Sequence, residues 1–188
     1  MQPTAYNDHE YFIPIREEYS GFVWIITFVL KDYAPPIVLR FVDWVRTQFG
    51  LLVSKIRMDK DSAFISLENK RTKNKTKFEN SCAKLGIEIE KTTTATAEQN
   101  GASERMGGII KTMGRTMLVS ANLPEKLWPE ACSAAVYLRN RSPLEGHKWS
   151  SPLEVFLGWF AAHYRWFEPR RLTQLGQDLR PNWSNLRA

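Results

Sequence analysis

At 188 residues and 43% hydrophobic content, the chain is long enough for one α/β domain with a buried core and too short for two comfortable ones. A formal charge of +6 and a pI near 9.4 favour an acidic partner, nucleic acid being the commonest, because Lys and Arg that neutralise phosphates release counterions. The longest apolar run, "FVWIITFVL", is about half of the ~20 residues a membrane helix needs, so a spanning helix is excluded.

In chain order, "YFIPI" (11–15) and "GFVWIITFVL" (21–30) flank "REEYS" and read as an antiparallel hairpin. Pro14 removes a ladder donor, which puts the first strand at an edge or distorts it there. After Pro35 and Pro36, Ile37, Val38, Phe41, Val42, Val45 and Phe49 recur at helical spacing, with Gly50 as the stop. "LLVSKIRM" (51–58) alternates as a strand that ends at Asp59. The basic run "NKRTKNKTK" (69–77) reads as a solvated surface loop and is followed by a short helix up to Gly86.

"IEIEK" (87–91) is a short alternating strand. From Ser103 the residues Met106, Ile109, Ile110, Met113 and Met117 mark one face of a helix to about Ser120. A further helix starts near Pro129, with Ala131, Ala135 and Leu138 on its buried side and Arg139 and Arg141 at its carboxyl end, where cations meet the helix dipole favourably. Residues 1–160 form the expected core, and 161–188 an irregular Trp- and Arg-rich extension. The expected fold is α/β, a mixed sheet of antiparallel hairpin and parallel strands flanked by helices.

Cys82 and Cys132 both fall on predicted core-facing helix positions, which suits a reduced intracellular chain and gives no disulfide framework. His9, His147 and His163 are scattered and make no zinc site. No secretory or transit signal is visible in "MQPTAYNDHEYF".

Three acidic residues stand at or near predicted element ends: Glu17 after the first strand, Asp59 after the third, and Glu104 in the first turn of the helix that follows "EQNG". Carboxylates gathered at strand ends hold hard divalent cations through oxygen. Each also has a plain explanation. Glu104 near a helix amino terminus is worth about 0.3–1 kcal/mol, and Glu17 and Asp59 are ordinary strand-end groups.

The segment "EQNGASERMGGIIKTMGRTMLVSANLPEKLWPEACSAAVYLRNRSP" (98–143) resembles the integrase core of copia-type retrotransposons, particularly fungal ones. That family carries Q-N-G-x-x-E-R, then l-P-x-x-l-W-x-E-A and A-x-Y-L-x-N-R-x-P. "EEYSGFVW" (17–24) is similar to its D-E-Y-S-G-Y-x-W, "IRMDKDSAF" (56–64) to its i-R-x-D-N-G-x-E-F, and "SSPLEVFLG" to its later t-P-x-E element.

The resemblance covers most of residues 11 to 160. It implies an RNase H-like fold, a Mg²⁺ or Mn²⁺ site built by a D, D, E triad, and metal-dependent strand transfer of element DNA into target DNA, in the nucleus. Asp59 matches the second Asp and Glu104 the Glu; Glu17 stands where the first Asp belongs, so catalytic and metal-ligand roles fall on Glu17, Asp59 and Glu104. Gln99, Asn100, Arg105 and Lys111 are candidate nucleic-acid contacts on the same segment. Partners are then DNA, with RNA as a second class, and further copies of the chain.

Several positions depart from the pattern: Glu17 for Asp, Lys60 for Asn, Asp61 for Gly and Ala63 for Glu. One extra methylene displaces a carboxylate by roughly a C–C bond, and about 1 Å of misplacement costs on the order of 100-fold in rate. The interval from Asp59 to Glu104 is longer than usual, and no His-His-Cys-Cys zinc module precedes the core. The expectation is a partly degenerate integrase core. The alternatives are a non-catalytic DNA- or RNA-binding remnant and a protein-interaction domain using the Trp-rich tail.

Overall fold

The computed structural model describes residues 4–59, 76–92 and 97–163, with the backbone alone described for Asp59, Thr92, 97–104 and 159–163. Nine regular elements fall in it: β1 (Tyr11–Arg16), β2 (Val23–Phe28), α1 (Ala34–Phe49), β3 (Lys55–Asp59), α2 (Lys77–Lys84), β4 (Glu88–Thr92), α3 (Ala97–Ser120), α4 (Trp128–Arg141) and α5 (Pro152–His163). β1 and β2 pair antiparallel as expected, and β3 and β4 pair parallel. Among the described residues these are two two-stranded ladders. Most of "NKRTKNKTK" and the tail beyond His163 lie outside the described residues.

Two compact units divide the chain, one of Met1–Ile13 with Thr27–Gly107 and the other of Pro14–Ile26 with Gly108–Ala188. In the first, α1 forms as its sequence dictates. Pro35 and Pro36 occupy the opening turn, where an amide donor is not needed. All six periodic residues, Ile37 through Phe49, are buried together with Ala34. Gly50 stops the helix at φ 66°, a left-handed conformation that glycine adopts without a Cβ clash. This face packs on α2, whose buried residues are Phe78 and Cys82.

The start of α2 rests on a signal that a loop assignment passes over. Thr76, the last residue but one of the basic run, is its N-cap: the Thr76 hydroxyl accepts from the Glu79 amide (3.1 Å) and Glu79 Oε2 accepts from the Thr76 amide (2.6 Å). "TKFE" is thus a capping box, satisfying two amides that the helix itself cannot. The other Glu79 oxygen pairs with the Lys91 ammonium of β4. Burial pushes the Glu79 carboxyl up, but the bonds from Lys91 and from Thr76 outweigh it and hold it below its ordinary value.

β3 is shorter than the alternation from Leu51 suggests. Its parallel ladder to β4 starts where the Glu88 amide donates to the Ser54 carbonyl (2.9 Å) and runs from Lys55↔Glu88 to Asp59↔Thr92. The five residues of β4 set that length, and Leu52 is left 79% exposed. On the outer face Lys55 and Arg57 pair with Glu88 and Glu90 (3.2–3.8 Å). Such exposed pairs add little to stability.

In the second unit, α4 and α5 pack together around Phe22, Trp24, Ala131, Cys132, Ala135, Val136 and Phe156. Phe22 lies 4.7 Å from Trp24 and 5.2 Å from Phe156, and Trp24 meets Phe156 edge-on at 5.5 Å. Leu138, expected inside, is 48% exposed. The buried face of α4 follows Trp128, Cys132, Val136 and Asn140 instead, because Asn140 is drawn inward to a backbone partner described below. Burial raises the Cys132 thiol to about 11, and the Cys82 thiol is raised too, so both expected core cysteines are inert.

The stripe on α3 is also rotated from expectation. Met106, Ile110, Gly114 and Leu118 are buried, Met113 and Met117 are half-buried, and Ile109 is 40% exposed. Gly114 explains it. A Cβ there would lie 3.3 Å from both the amide nitrogen and Sγ of Cys132, so this part of α3 meets α4 nearly backbone to backbone.

Opposite outcomes follow for two glycines on one helix. Gly108, with nothing within 4 Å of an added Cβ, should gain up to about 1 kcal/mol on Gly108→Ala through helix propensity; Gly114→Ala should lose roughly 1–3 kcal/mol by overpacking. Urea denaturation separates them, and equal shifts would refute the close approach. In the first unit, Thr76→Ala should cost about 1 kcal/mol. Because the folded Glu79 carboxyl lies below its ordinary 4.5, its contribution is complete above that pH and is lost as pH falls through the lowered value. Glu79→Gln should therefore flatten the acid limb of a stability–pH curve.

Candidate functional site

β1 ends at Arg16, and the next five residues, "EEYSG", turn the chain into β2. The turn is closed by its own backbone: the Glu17 amide donates to the Phe22 carbonyl (2.8 Å) and the Gly21 amide to the Glu17 carbonyl (3.1 Å). Gly21 takes φ 67°, which suits glycine.

Within this turn the Glu17 side chain folds back on the loop. Its Oε1 accepts from the Tyr19 amide (2.8 Å), and its Oε2 accepts from both the amide (2.6 Å) and the hydroxyl of Ser20. Ser20 is fully buried, and its hydroxyl oxygen accepts in turn from the Phe22 amide (3.1 Å). A carboxylate offers about four lone-pair sites. Three of them are taken by the loop.

The turn is anchored from α4. Asn140, 3% exposed, accepts from the Val23 amide with Oδ1 (3.0 Å) and donates from Nδ2 to the Val23 carbonyl (2.7 Å). One side-chain amide thus satisfies both polar groups of a buried strand residue, as a neighbouring strand would. Sequence reading placed Asn140 in a motif without finding this role. The polar residue in an i, i+4 row with Trp128, Cys132 and Val136 was the available signal.

The other sequence-designated residues are placed as follows. Asp59 is the last residue of β3, in register with Thr92. Glu104 is on α3, which begins at Ala97, so it stands about two turns inside the helix and not in its first turn. The polar "AEQNGAS" stretch, expected to precede a helix from Ser103, is instead taken up in the helix from Ala97 on. The dipole argument for Glu104 falls away, since that effect fades beyond the first turn. Gln99 and Asn100 are on the same helical stretch, and Arg105 and Lys111 follow as exposed residues.

Glu17 belongs to the second unit, and Asp59 and Glu104 to the first. Among the described residues no three His, Cys, Asp or Glu side chains are grouped to hold a metal ion. Oxygen donors suit Mg²⁺ or Mn²⁺; with three of its lone-pair sites taken by loop donors, the Glu17 carboxylate keeps about one for a cation. In this arrangement Glu17 is a structural acceptor.

No family model matches the chain. It is 32% identical over 143 residues to the retrovirus-related Pol polyprotein from transposon TNT 1-94 of Nicotiana tabacum, a match covering 76% of the chain and 10% of that protein. With the corresponding polyprotein from transposon RE2 of Arabidopsis thaliana it shares 26% over 152 residues, 81% of the chain and 10% of the relative. The chain thus spans about a tenth of the length of the curated relatives it matches.

Among solved structures, the catalytic core domain of BIV integrase superposes with a TM-score of 0.56 at 19% identity, covering 86% of this chain and 93% of that one. A chain of the simian T-cell lymphotropic virus intasome in complex with PP2A regulatory subunit B56 gamma gives 0.57 at 19% identity, covering 81% and 50%. The fold is that of integrase catalytic cores.

Removing the carboxylate tests its structural role. Glu17→Ala strands the Ser20 amide in a half-buried loop and should cost about 1–3 kcal/mol, read by urea or thermal unfolding. A loss below a few tenths would show that the loop holds itself without Glu17.

Proposed function

The chain belongs to the retrovirus-related Pol polyproteins of transposons, as the segment with an integrase catalytic-core fold, and on that footing we propose that residues 1–160 bind nucleic acid as an integrase core whose strand-transfer activity is weakened at residue 17. Residues 161–188 are the extension of that core. The observation that carries the weakening is the Glu17 carboxylate, engaged by the Tyr19 and Ser20 amides and the Ser20 hydroxyl.

Asp59 and Glu104 are the remaining candidate ligands of Mg²⁺ or Mn²⁺, and a cation bound there would assist phosphodiester chemistry as a Lewis acid. With Glu17 committed to its loop, cation affinity is expected to be weak. The net charge of +6 and the exposed Arg105 and Lys111 support a DNA or RNA partner through phosphate contacts. The likeness to an intasome chain supports assembly with further copies, which sedimentation at rising concentration reads directly; a strict monomer would remove that part. Nuclear action belongs to the same proposal. Among the described residues no helix is long and apolar enough to cross a membrane.

The deciding experiment compares wild type with Glu17→Asp by calorimetric titration of Mg²⁺ and Mn²⁺, and by cleavage and joining of a labelled duplex bearing the transposon's terminal sequence. Expected are salt-dependent DNA binding by both proteins, and cation affinity and DNA cleavage raised in the Asp variant by tenfold or more. Equal cleavage by the two would overturn the weakening at residue 17. Absence of DNA binding at low salt would overturn the nucleic-acid role.

A further inference from the structure

Beside the Glu17 turn the second unit gathers cationic groups that the proposed chemistry does not use. Gly21 has no side chain, and the point where a Cβ would sit is 3.4 Å from Arg16 Nη2, 3.7 Å from Arg16 Nε and 3.5 Å from His147 Nε2. Nε and Nη2 form one edge of the guanidinium fork, the edge that takes two oxygens of a phosphate in parallel. That edge and an imidazole nitrogen therefore face one small space kept open by a glycine.

Among the described residues, neither Arg16 nor His147 has a carboxylate at ion-pairing distance. The acidic groups nearest in sequence are Glu17, whose oxygens are turned to the loop amides, the exposed Glu18, and Glu145. Arg139 adds to the positive field: burial, and then the charge of Arg16, make its guanidinium less basic than usual. A bound anion would lie in the positive field of Arg16 and Arg139.

His147 is part of a short hydrogen-bonded loop. The Trp149 amide donates to the Leu144 carbonyl (3.0 Å), the Leu144 amide to the Ser150 carbonyl (3.1 Å), and the His147 amide to the Leu144 carbonyl (3.0 Å). Lys148 and Trp149 both have positive φ, 52° and 65°, which is uncommon for such residues. The backbone so held presents Trp149 at 71% exposure, two residues from the imidazole, with exposed Lys148 between them. An indole held out on a closed loop two residues from His147, with Arg16 and Lys148 supplying positive charge, has the two parts of a single-strand platform: charge for the backbone and a flat face for a base.

We propose that Arg16, His147, Lys148 and Trp149 form a binding surface for single-stranded nucleic acid, with a backbone phosphate between Arg16 and His147 and a base stacked on Trp149. This rests on the nucleic-acid role proposed above and adds to it a place and a strand preference. Duplex DNA keeps its bases stacked inside and would use the charges alone.

The test uses the full chain and fluorescence anisotropy with labelled oligothymidine and with a duplex of equal length, over a range of salt. Trp149→Ala should weaken oligothymidine binding about fivefold or more and leave the duplex nearly unaffected. Arg16→Gln should lower the log-affinity against log-salt slope by about one for both. Both side chains are exposed, and circular dichroism confirms that the variants fold. If both variants bind oligothymidine with wild-type affinity and slope while the wild type binds DNA, this surface is wrong and the nucleic-acid role stands. If the wild type binds neither probe at low salt, both fall.

Discussion

Asn140 and the backbone of Val23 are the contact on which the second unit depends. They lie 117 residues apart in the chain and are joined by two hydrogen bonds in a site shielded from water. Leaving a buried amide or carbonyl unpaired costs on the order of 1–3 kcal/mol, so a side chain that satisfies both at once fixes α4 against β2 more stringently than apolar packing does. Apolar groups tolerate sliding; a two-point amide pair has one register. Phe22 and Trp24, on either side of Val23 in sequence, pack with Phe156 and supply bulk, while the amide supplies position. The Glu17 turn ends at Gly21, two residues before Val23, so its placement is inherited from Asn140.

Much of this architecture was legible in the sequence, unevenly and for identifiable reasons. α1 could be read almost residue by residue, because a proline start, a six-member apolar row and a glycine stop all agree. β4 and the hairpin were similarly clear. Boundaries failed where a tertiary partner sets them: β3 is as long as β4 lets it be, and among the described residues the ladder begins at Lys55↔Glu88, past Leu51 and Leu52. On α3 the apolar pattern was right and its centre wrong by one row, since Gly114 carries no hydrophobicity and yet marks the closest approach to α4. Leu138 lost its place to a polar residue, which no apolar periodicity reveals.

The candidate site was legible as chemistry more than as geometry. The resemblance to copia-type integrase cores singled out Glu17, Asp59 and Glu104, and the fold is that of integrase catalytic cores. It did not disclose that Glu17 turns back on its own loop. A carboxylate two and three residues ahead of unpaired amides is the kind of local competition that pattern matching overlooks. The same short-range habit appears at Glu79, where a single carboxylate starts a helix and pairs with the next strand.

That second case bears on how the chain can change. Because Thr76 and Glu79 together tell α2 where to begin, the helix carries its own punctuation and does not rely on the length of what comes before it. Residues can be gained or lost between Asp59 and Thr76 without shifting the phase of α2 or its hold on Lys91, and lengthening a connection is thermodynamically cheap. The basic tract "NKRTKNKTK" can therefore vary in sequence and length up to Lys75, while its own last two residues, Thr76 and Lys77, open the helix and keep its phase.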